Sequence, residues 1–417
     1  MSFNFGFSNL SRAAIVAAAP AYMANALVLE VDTTKAGSAS TTFVLPLITG
    51  YTYNFTVYWG DGTNSVITTY NAAALAHVYA AGGIKTVQIV GTCPRVYFNN
   101  GGDRRKLLKV LQWGSTSLAT NQTKMFYGCA NLTSLASDIT FGSLVTAVSM
   151  FNACSALGAF PSSFTFASVT DATYMFASCS SLVVTPPGAT FASLLNGTGM
   201  FQNCSVLESA SSSAMFAALT TANSMFYNCR ALTTFPTGIT FGEVAYANSM
   251  LAYCVELVSL PSGITFAKVN NAGSMFGGCV KLATLPNSVT FALAFDASYM
   301  FYGCTLLSAL PEAITFATVY NSNEMFTNCT SLTELPAGVT FAALQAATNM
   351  FANVTLTTAA YNRLLVALAA NNTYNSVPFK GGLSTYDSAS GGFDGVTARA
   401  HLTGTHLWTI TDGGIEA

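Results

Sequence analysis

Cysteine recurs at positions 129, 154, 179, 204, 229, 254, 279, 304 and 329, one thiol every 25 residues. Thiols in a ladder could hold a metal, pair as disulfides or act as nucleophiles. The spacing argues against each. A metal ladder wants histidine or close cysteine pairs, and C-x-x-C occurs nowhere. The even total of ten cysteines combines the nine ladder positions with an unrelated Cys93, so it does not describe a disulfide framework. In-register neighbours would also present parallel Cβ vectors, which disfavour a disulfide torsion near 90°. The thiols are therefore expected to be free, buried and packed as small hydrophobes, each with a weak S–H donor for a turn carbonyl. Other catalytic chemistry is equally thin. His77, His401 and His406 share no motif with a nucleophile, and there is no G-x-S-x-G and no phosphate-binding glycine loop. The carboxylates Glu243, Glu256, Asp296, Glu312, Glu324 and Glu334 are scattered singly, and nothing selects a pair at glycosidase spacing. Neither enzymatic activity nor a cofactor nor a resident metal is expected.

What positions the thiols is the repeat itself. Met stands at 125, 150, 175, 200, 225, 250, 275, 300, 325 and 350, followed by Phe everywhere except Leu251. Leu at 132 through 332 and Phe at 141 through 341 keep the same step, with no insertion or deletion, which marks a repeat architecture. One repeat cannot fold alone: about seven apolar anchors contribute roughly 10 to 20 kcal/mol gross, against roughly 25 to 50 kcal/mol to order 25 residues. Stacking would cover each anchor with its copies. The I-T-F alternation, as in Ile264-Thr265-Phe266, and the L-x-x-L-P stretch read as strands. Prolines such as Pro261, Pro286, Pro311 and Pro336 would end pairing at one corner. The expected fold is mainly β, with nine to ten coils forming a solenoid.

The M-F-x-x-C-x-x-L-x-x-L-P pattern resembles the BspA-type leucine-rich repeats of bacterial surface proteins and of phage tail or appendage proteins. Upstream, LVLEVDTT, YNFTVYWGDGT and HVYAAGGIKTVQIVG read as short strands separated by turn signals. The run Tyr58-Trp59-Gly60-Asp61-Gly62 with His77-x-Tyr79 resembles PKD-type immunoglobulin-like domains, which implies a β-sandwich. In that family these marks are chiefly structural, so Asp61 and His77 are not read as ligands. The expected organisation is an anchoring segment at 1–26, a PKD/Ig-like sandwich at 27–100, a linker and N-terminal cap at 101–124, the repeats at 125–356 and a small α/β C-terminal cap at 357–417. The cap contains the clearest helix, beginning at Thr358.

Charged residues make up only 8% of the chain and the net charge is −2. Nucleic-acid binding needs a cationic footprint, which the repeats lack, having only Arg230, Lys268 and Lys281. The basic cluster Gly102 to Lys109 reads as a solvated or interdomain face. No apolar run is long enough for a membrane span. The Ala-rich run of residues 1–26, with Ala24-Asn25-Ala26, imitates a signal peptide, but Pro20 interrupts it and an assembly anchor is expected instead. The variable columns beside Met-Phe are rich in Tyr and Asn, and the expected binding face comprises Tyr246, Asn271, Asp296, Tyr299, Tyr302, Tyr320, Asn321 and Asn328. Neutral phenols and amides suit stacking on sugars and hydrogen bonding to them. The expected function is a non-enzymatic phage virion appendage or decoration subunit, with a homo-oligomer among the assemblies expected. It would meet other virion proteins through its N-terminus and a host-surface glycan or protein through its repeats. The alternative is a bacterial cell-surface adhesin, and a remote one is a glycan-active enzyme.

Overall fold

In the computed structural model, which describes residues 22–115, 117–211 and 216–416, the backbone of the repeats is set by two left-handed residues in every copy. With Met as position 0, position −1 has φ between +53° and +61° in all ten repeats, and position +3 between +57° and +80°. A strand cannot continue through such residues, so the chain turns. Its hydrogen bonds divide accordingly. In the repeat at Met275, the N–H groups of Ala272, Ser274, Phe276 and Gly278 donate to Asp296, Ser298, Met300 and Tyr302 of the next repeat at 2.6 to 2.9 Å. The intervening Met275, Gly277 and Cys279 close turns onto Ala272, Ser274 and Phe276. With Gly273 N–H on Asn271 Oδ1, every backbone donor from Ala272 to Cys279 is paired, half within the repeat and half between repeats.

This corrects the expected fold class. The chain is mainly turn and irregular backbone, with about 15% strand and 8% helix, so it is not mainly β and forms no solenoid of strands. Among the described residues from 136 to 356, the strand-type pairing between repeats is confined to single-residue parallel bridges, such as Tyr246 with Asn271 and Asn271 with Asp296. The Ile-Thr-Phe alternation spans three residues between two turns, closed by Ile264 N–H on Pro261 and Val269 N–H on Phe266. A period of two over so short a stretch does not distinguish a strand from a pair of anchors around one exposed threonine.

The N-terminal part is likewise not a sandwich. Its strands are β1 (Leu27–Asp32), β2 (Thr42–Val44), β3 (Asn54–Tyr58), β4 (Asn64–Ile67), β5 (Ala76–Val78), β6 (Ile84–Thr92), β7 (Leu107–Gln112) and β8 (Ser134–Leu135). Six form one sheet in the order β4-β3-β6-β1-β7-β8, while β2 and β5 make only a two-stranded ribbon, too small for a second facing sheet. Strand β7 pairs antiparallel with β1 and parallel with β8 inside the first repeat, so the sheet runs directly into the repeats. Within this part Trp59 is fully buried. The His77 ring stacks on it at 4.7 Å and meets Asp61 Oδ2 at 2.7 Å. Burial alone would raise the Asp61 carboxyl, but the Thr63 hydroxyl, His77 and the Thr63 N–H together hold it down at about 2. In the basic cluster, Lys106 is wholly buried. Its ammonium donates to the carbonyls of Ser38, Ala39 and Thr42 and sits 3.6 Å from Asp103, so this cation is a structural pin and not a solvated charge.

One continuous buried cluster runs from Leu27 through the repeats to Trp408. The anchor columns of Met, Cys, Leu and Phe are almost completely buried. Rings of the second Phe column stack without a break from Phe141 to Phe341, for example Phe241 on Phe266 at 5.9 Å and Phe266 on Phe291 at 5.9 Å. Such pairs contribute about 0.5 to 1.5 kcal/mol each beyond burial. Each ladder thiol from Cys154 onward donates to the carbonyl at position +1 of the preceding repeat, as Cys254 does to Phe226 at 3.2 Å. All ten cysteines are free and buried.

At the far end, β9 (Pro378–Lys380) takes the place of a further repeat: Phe351 N–H donates to the Lys380 carbonyl at 3.0 Å. It pairs in parallel with β10 (Thr409–Thr411). Helix α1 (Thr358–Asn371) packs on α2 (Gly395–Gly404). The N-cap of α1 is Thr357, one residue before the threonine expected, and its hydroxyl accepts from Ala360 N–H while donating to Glu334. Replacing it, Thr357→Ala, should cost about 1 kcal/mol in urea denaturation, whereas an unchanged midpoint would show that the cap carries no weight.

Candidate functional site, a tyrosine-lined groove

The expected Tyr/Asn face divides into three structural classes. Asn271, Asp296 and Asn321 share position −4 with Tyr246, but their side chains are engaged locally. Each Oδ1 accepts the N–H two residues on, from Gly273, Ser298 and Asn323 at 3.1, 2.9 and 3.1 Å. These are Asx turns that shape the backbone ahead of each Met. Asn328 is similarly occupied, accepting from Asn353 Nδ2 of the next repeat at 2.7 Å. Tyr246 is exposed, and Tyr320 stacks on Phe295 at 5.2 Å, both away from the third class.

That third class is a groove of about 590 Å³ across the repeats, into which the structure brings Tyr299 and Tyr302 of the expected residues. Tyr227 and Tyr253 form one wall, with ring centroids 5.5 Å apart and planes at 77°. Tyr299 and Tyr302 form the other, 5.9 Å apart and tilted by 54°. Between the walls the same columns carry only Ser249, Ala252, Ser274 and Gly277, so the floor is open. Glu324 closes one end and accepts from the Tyr299 hydroxyl at 3.3 Å. Its charge, with minor help from burial, raises the Tyr299 phenol above its ordinary value, so the phenol remains a donor.

Two of these tyrosines occupy unfavourable backbone. Tyr253 lies at position +3 with φ +61° and Tyr299 at −1 with φ +56°, where most other repeats place Gly, Asn or Ser, the exceptions being Ala153 at +3 and Lys124, Tyr174 and Glu324 at −1. A bulky side chain in the left-handed region is strained by about 1 to 3 kcal/mol. The Tyr253 ring also lies over Gly278, where an added Cβ would come within 2.7 Å of it. Both rings nevertheless remain 48% and 42% exposed, so the core gains little from them. Residues that cost backbone strain without filling the core are what a recognition surface requires.

Tyr227, Tyr253 and Glu324 were not part of the expected face as a set, although the tyrosines were visible as members of the variable columns. The signal that joins them is the run of small residues between two tyrosine pairs. Among the described residues no group of His, Cys, Asp and Glu is arranged to hold a metal ion, and no helix is long and apolar enough to cross a membrane. The anchoring role expected of residues 1–26 lies largely outside the described residues. Only the last few are in view, where Gln112 Nε2 donates to the carbonyls of Met23 and Ala26 at 2.9 and 3.0 Å.

A family described as Mycoplasma protein of unknown function, DUF285, matches residues 98–186, 120–239 and 262–363, more than half of the chain. The chain belongs to this family. The matched segments begin where Phe98 N–H donates to Met125 and end inside α1. Neither a curated protein nor a solved structure matches the chain significantly. Within this DUF285 chain the groove falls on repeats that the third matched segment covers in part, from Ser274 to Glu324.

Proposed function

We propose that this chain is a non-enzymatic binding protein whose groove engages a glycan on a host surface. The observation that carries the reading is the pair of exposed, strained tyrosines, Tyr253 and Tyr299, facing each other across a floor of small residues. At the ~4.8 Å step between hydrogen-bonded backbones, tyrosines two repeats apart stand about 10 Å from each other, enough to admit a pyranose ring between aromatic faces. Phenol hydroxyls and the Glu324 carboxylate supply the hydrogen bonds that such a ligand needs.

The setting we propose is the virion, as an appendage or decoration subunit. The resemblance to BspA-type repeats of phage appendage proteins supports it, together with the apolar residues 1–26 as an assembly anchor. The PKD-like marks around Trp59 fit a spacer between anchor and repeats. In a bacterial adhesin, the alternative, the same groove would face outward from a cell.

The test compares two double variants for adsorption to host cells. Tyr253→Ala with Tyr302→Ala should weaken adsorption about tenfold or more, a loss comparable to removing interfacial aromatic anchors. Tyr246→Ala with Tyr320→Ala should leave it unchanged. Equal adsorption of the groove variant and the unaltered chain would reject the reading. Deleting residues 1–22, which spares the Met23 and Ala26 contacts to Gln112, should abolish incorporation into particles without loss of adsorption by the free chain.

A further inference from the structure

The groove's charge is one-sided. Four tyrosine rings and one carboxylate, Glu324, face it, and no Lys, Arg or His lines it. The three Lys and Arg residues of repeats 125–356 are engaged with other groups. Lys268 pairs with Glu243 at 2.5 Å and Lys281 with Glu256 at 2.6 Å, each bridging one repeat to the next, while Arg230 donates to Asn228 at 2.8 Å. Aromatic faces carry negative potential and attract a cation lying within about 6 Å of the ring centroid. Several such faces converging beside a carboxylate discriminate against anions and favour an ammonium group. Sialic acids, uronic acids and phosphorylated sugars would meet Glu324 without a compensating cation.

We propose that the groove recognises a glycan carrying a free ammonium group, held between the Tyr227/Tyr253 and Tyr299/Tyr302 walls with Glu324 as its counter-ion. This rests on the glycan-binding reading of the same groove and narrows it to the cationic class. In this arrangement the sugar ring stacks on tyrosine while the ammonium lies toward the Glu324 end. The open floor at Ser274 and Gly277 lets the ligand enter sideways, across the repeats.

The experiment measures binding of the full chain to a glucosamine disaccharide and to its N-acetylated counterpart, which has the same rings without the charge. It is run at a pH where the amine is protonated. The glucosamine ligand should bind about tenfold more tightly than the acetylated one. Glu324→Gln should remove most of that difference, and Glu312→Gln, a carboxylate outside the groove, should not. Tyr253→Ala should weaken both ligands. If the acetylated ligand binds as well or better, the groove remains a glycan site and the ammonium inference is overturned. If phosphatidylcholine vesicles bind through Tyr253 while neither sugar does, the ammonium comes from lipid and the glycan source is wrong. If nothing binds, this inference and the glycan reading fall together.

Discussion

Raising the pH above about 9 should unfold the protein over a narrow interval, with thiolate absorbance appearing as the repeats are lost. Burial pushes every ladder thiol upward: Cys204, Cys279 and Cys329 to about 12, and Cys129, Cys154, Cys179, Cys229, Cys254 and Cys304 well above the ordinary value. Cys93 outside the ladder is also raised to about 12 by burial. An unfolded thiol ionises near 8.5. Because the folded values are raised, their contribution is fully present below about 8.5 and is lost as pH climbs toward the folded values. Between those limits each thiol ionises only in the unfolded chain and tilts stability by about 1.4 kcal/mol per pH unit. Ten thiols acting together amount to roughly 10 kcal/mol or more per pH unit, comparable to the whole stability of a typical domain. Circular dichroism and thiolate absorbance followed together should therefore change in one transition. Thiolates appearing near pH 9 with the fold intact would mean that the ladder is open to solvent. At neutral pH the same burial should make the thiols nearly inert to alkylation until denaturant is added.

A buried charge in the middle of the stack should propagate further than one near its end. Leu257 and Leu332 occupy the same column and are both fully buried. Leu257→Asp places an unpaired carboxylate in that core, at a cost of about 3 to 5 kcal/mol. Each repeat donates N–H groups to the next one, as Phe276 does to Met300, and to the preceding one, as Phe295 does to Asn270, so loss of one repeat leaves both neighbours with unpaired donors and acceptors. Leu257→Asp should raise amide exchange over several repeats on both sides. Leu332→Asp lies two repeats from β9, and its effect should be confined to the segment beyond about residue 300. Equal and small effects of the two changes would show that the repeats do not depend on their neighbours.

The repeat was legible because its anchors recur without a gap, and the burial of Met, Cys, Leu and Phe at the same step follows directly from that pattern. The expected S–H donor of the cysteines was legible too, since a small buried thiol beside a turn has a carbonyl within reach. The backbone was misread for a physical reason. Ile-Thr-Phe has the period of a strand, but the left-handed residues at −1 and +3 prevent extension, and these columns display the cause: Ser, Asn and Gly predominate at 149, 224, 249, 274, 128, 203, 228, 278 and 303. The same columns were read as a variable binding face. Much of their Asn content instead reflects tolerance of positive φ, and the Asn or Asp at −4 followed by Thr, Ser, Gly or Asn at −2 marks an Asx turn. Tyrosine at Tyr253 and Tyr299, as at Tyr174, departs from that logic. It became interpretable only once the small residues between the two walls were seen to leave a groove, because that relation links residues two repeats apart.

The most direct measurement is a protection footprint of tyrosines on the unaltered protein bound to its host surface. Free in solution, Tyr253 and Tyr299 should be modified as readily as Tyr246 and Tyr374, which have similar exposure. On binding, Tyr253, Tyr299 and Tyr302 should become protected while Tyr246, Tyr320 and Tyr374 continue to react. Protection of Tyr246 and Tyr320 with the groove tyrosines still reactive would contradict the account and move the recognition surface out of the groove.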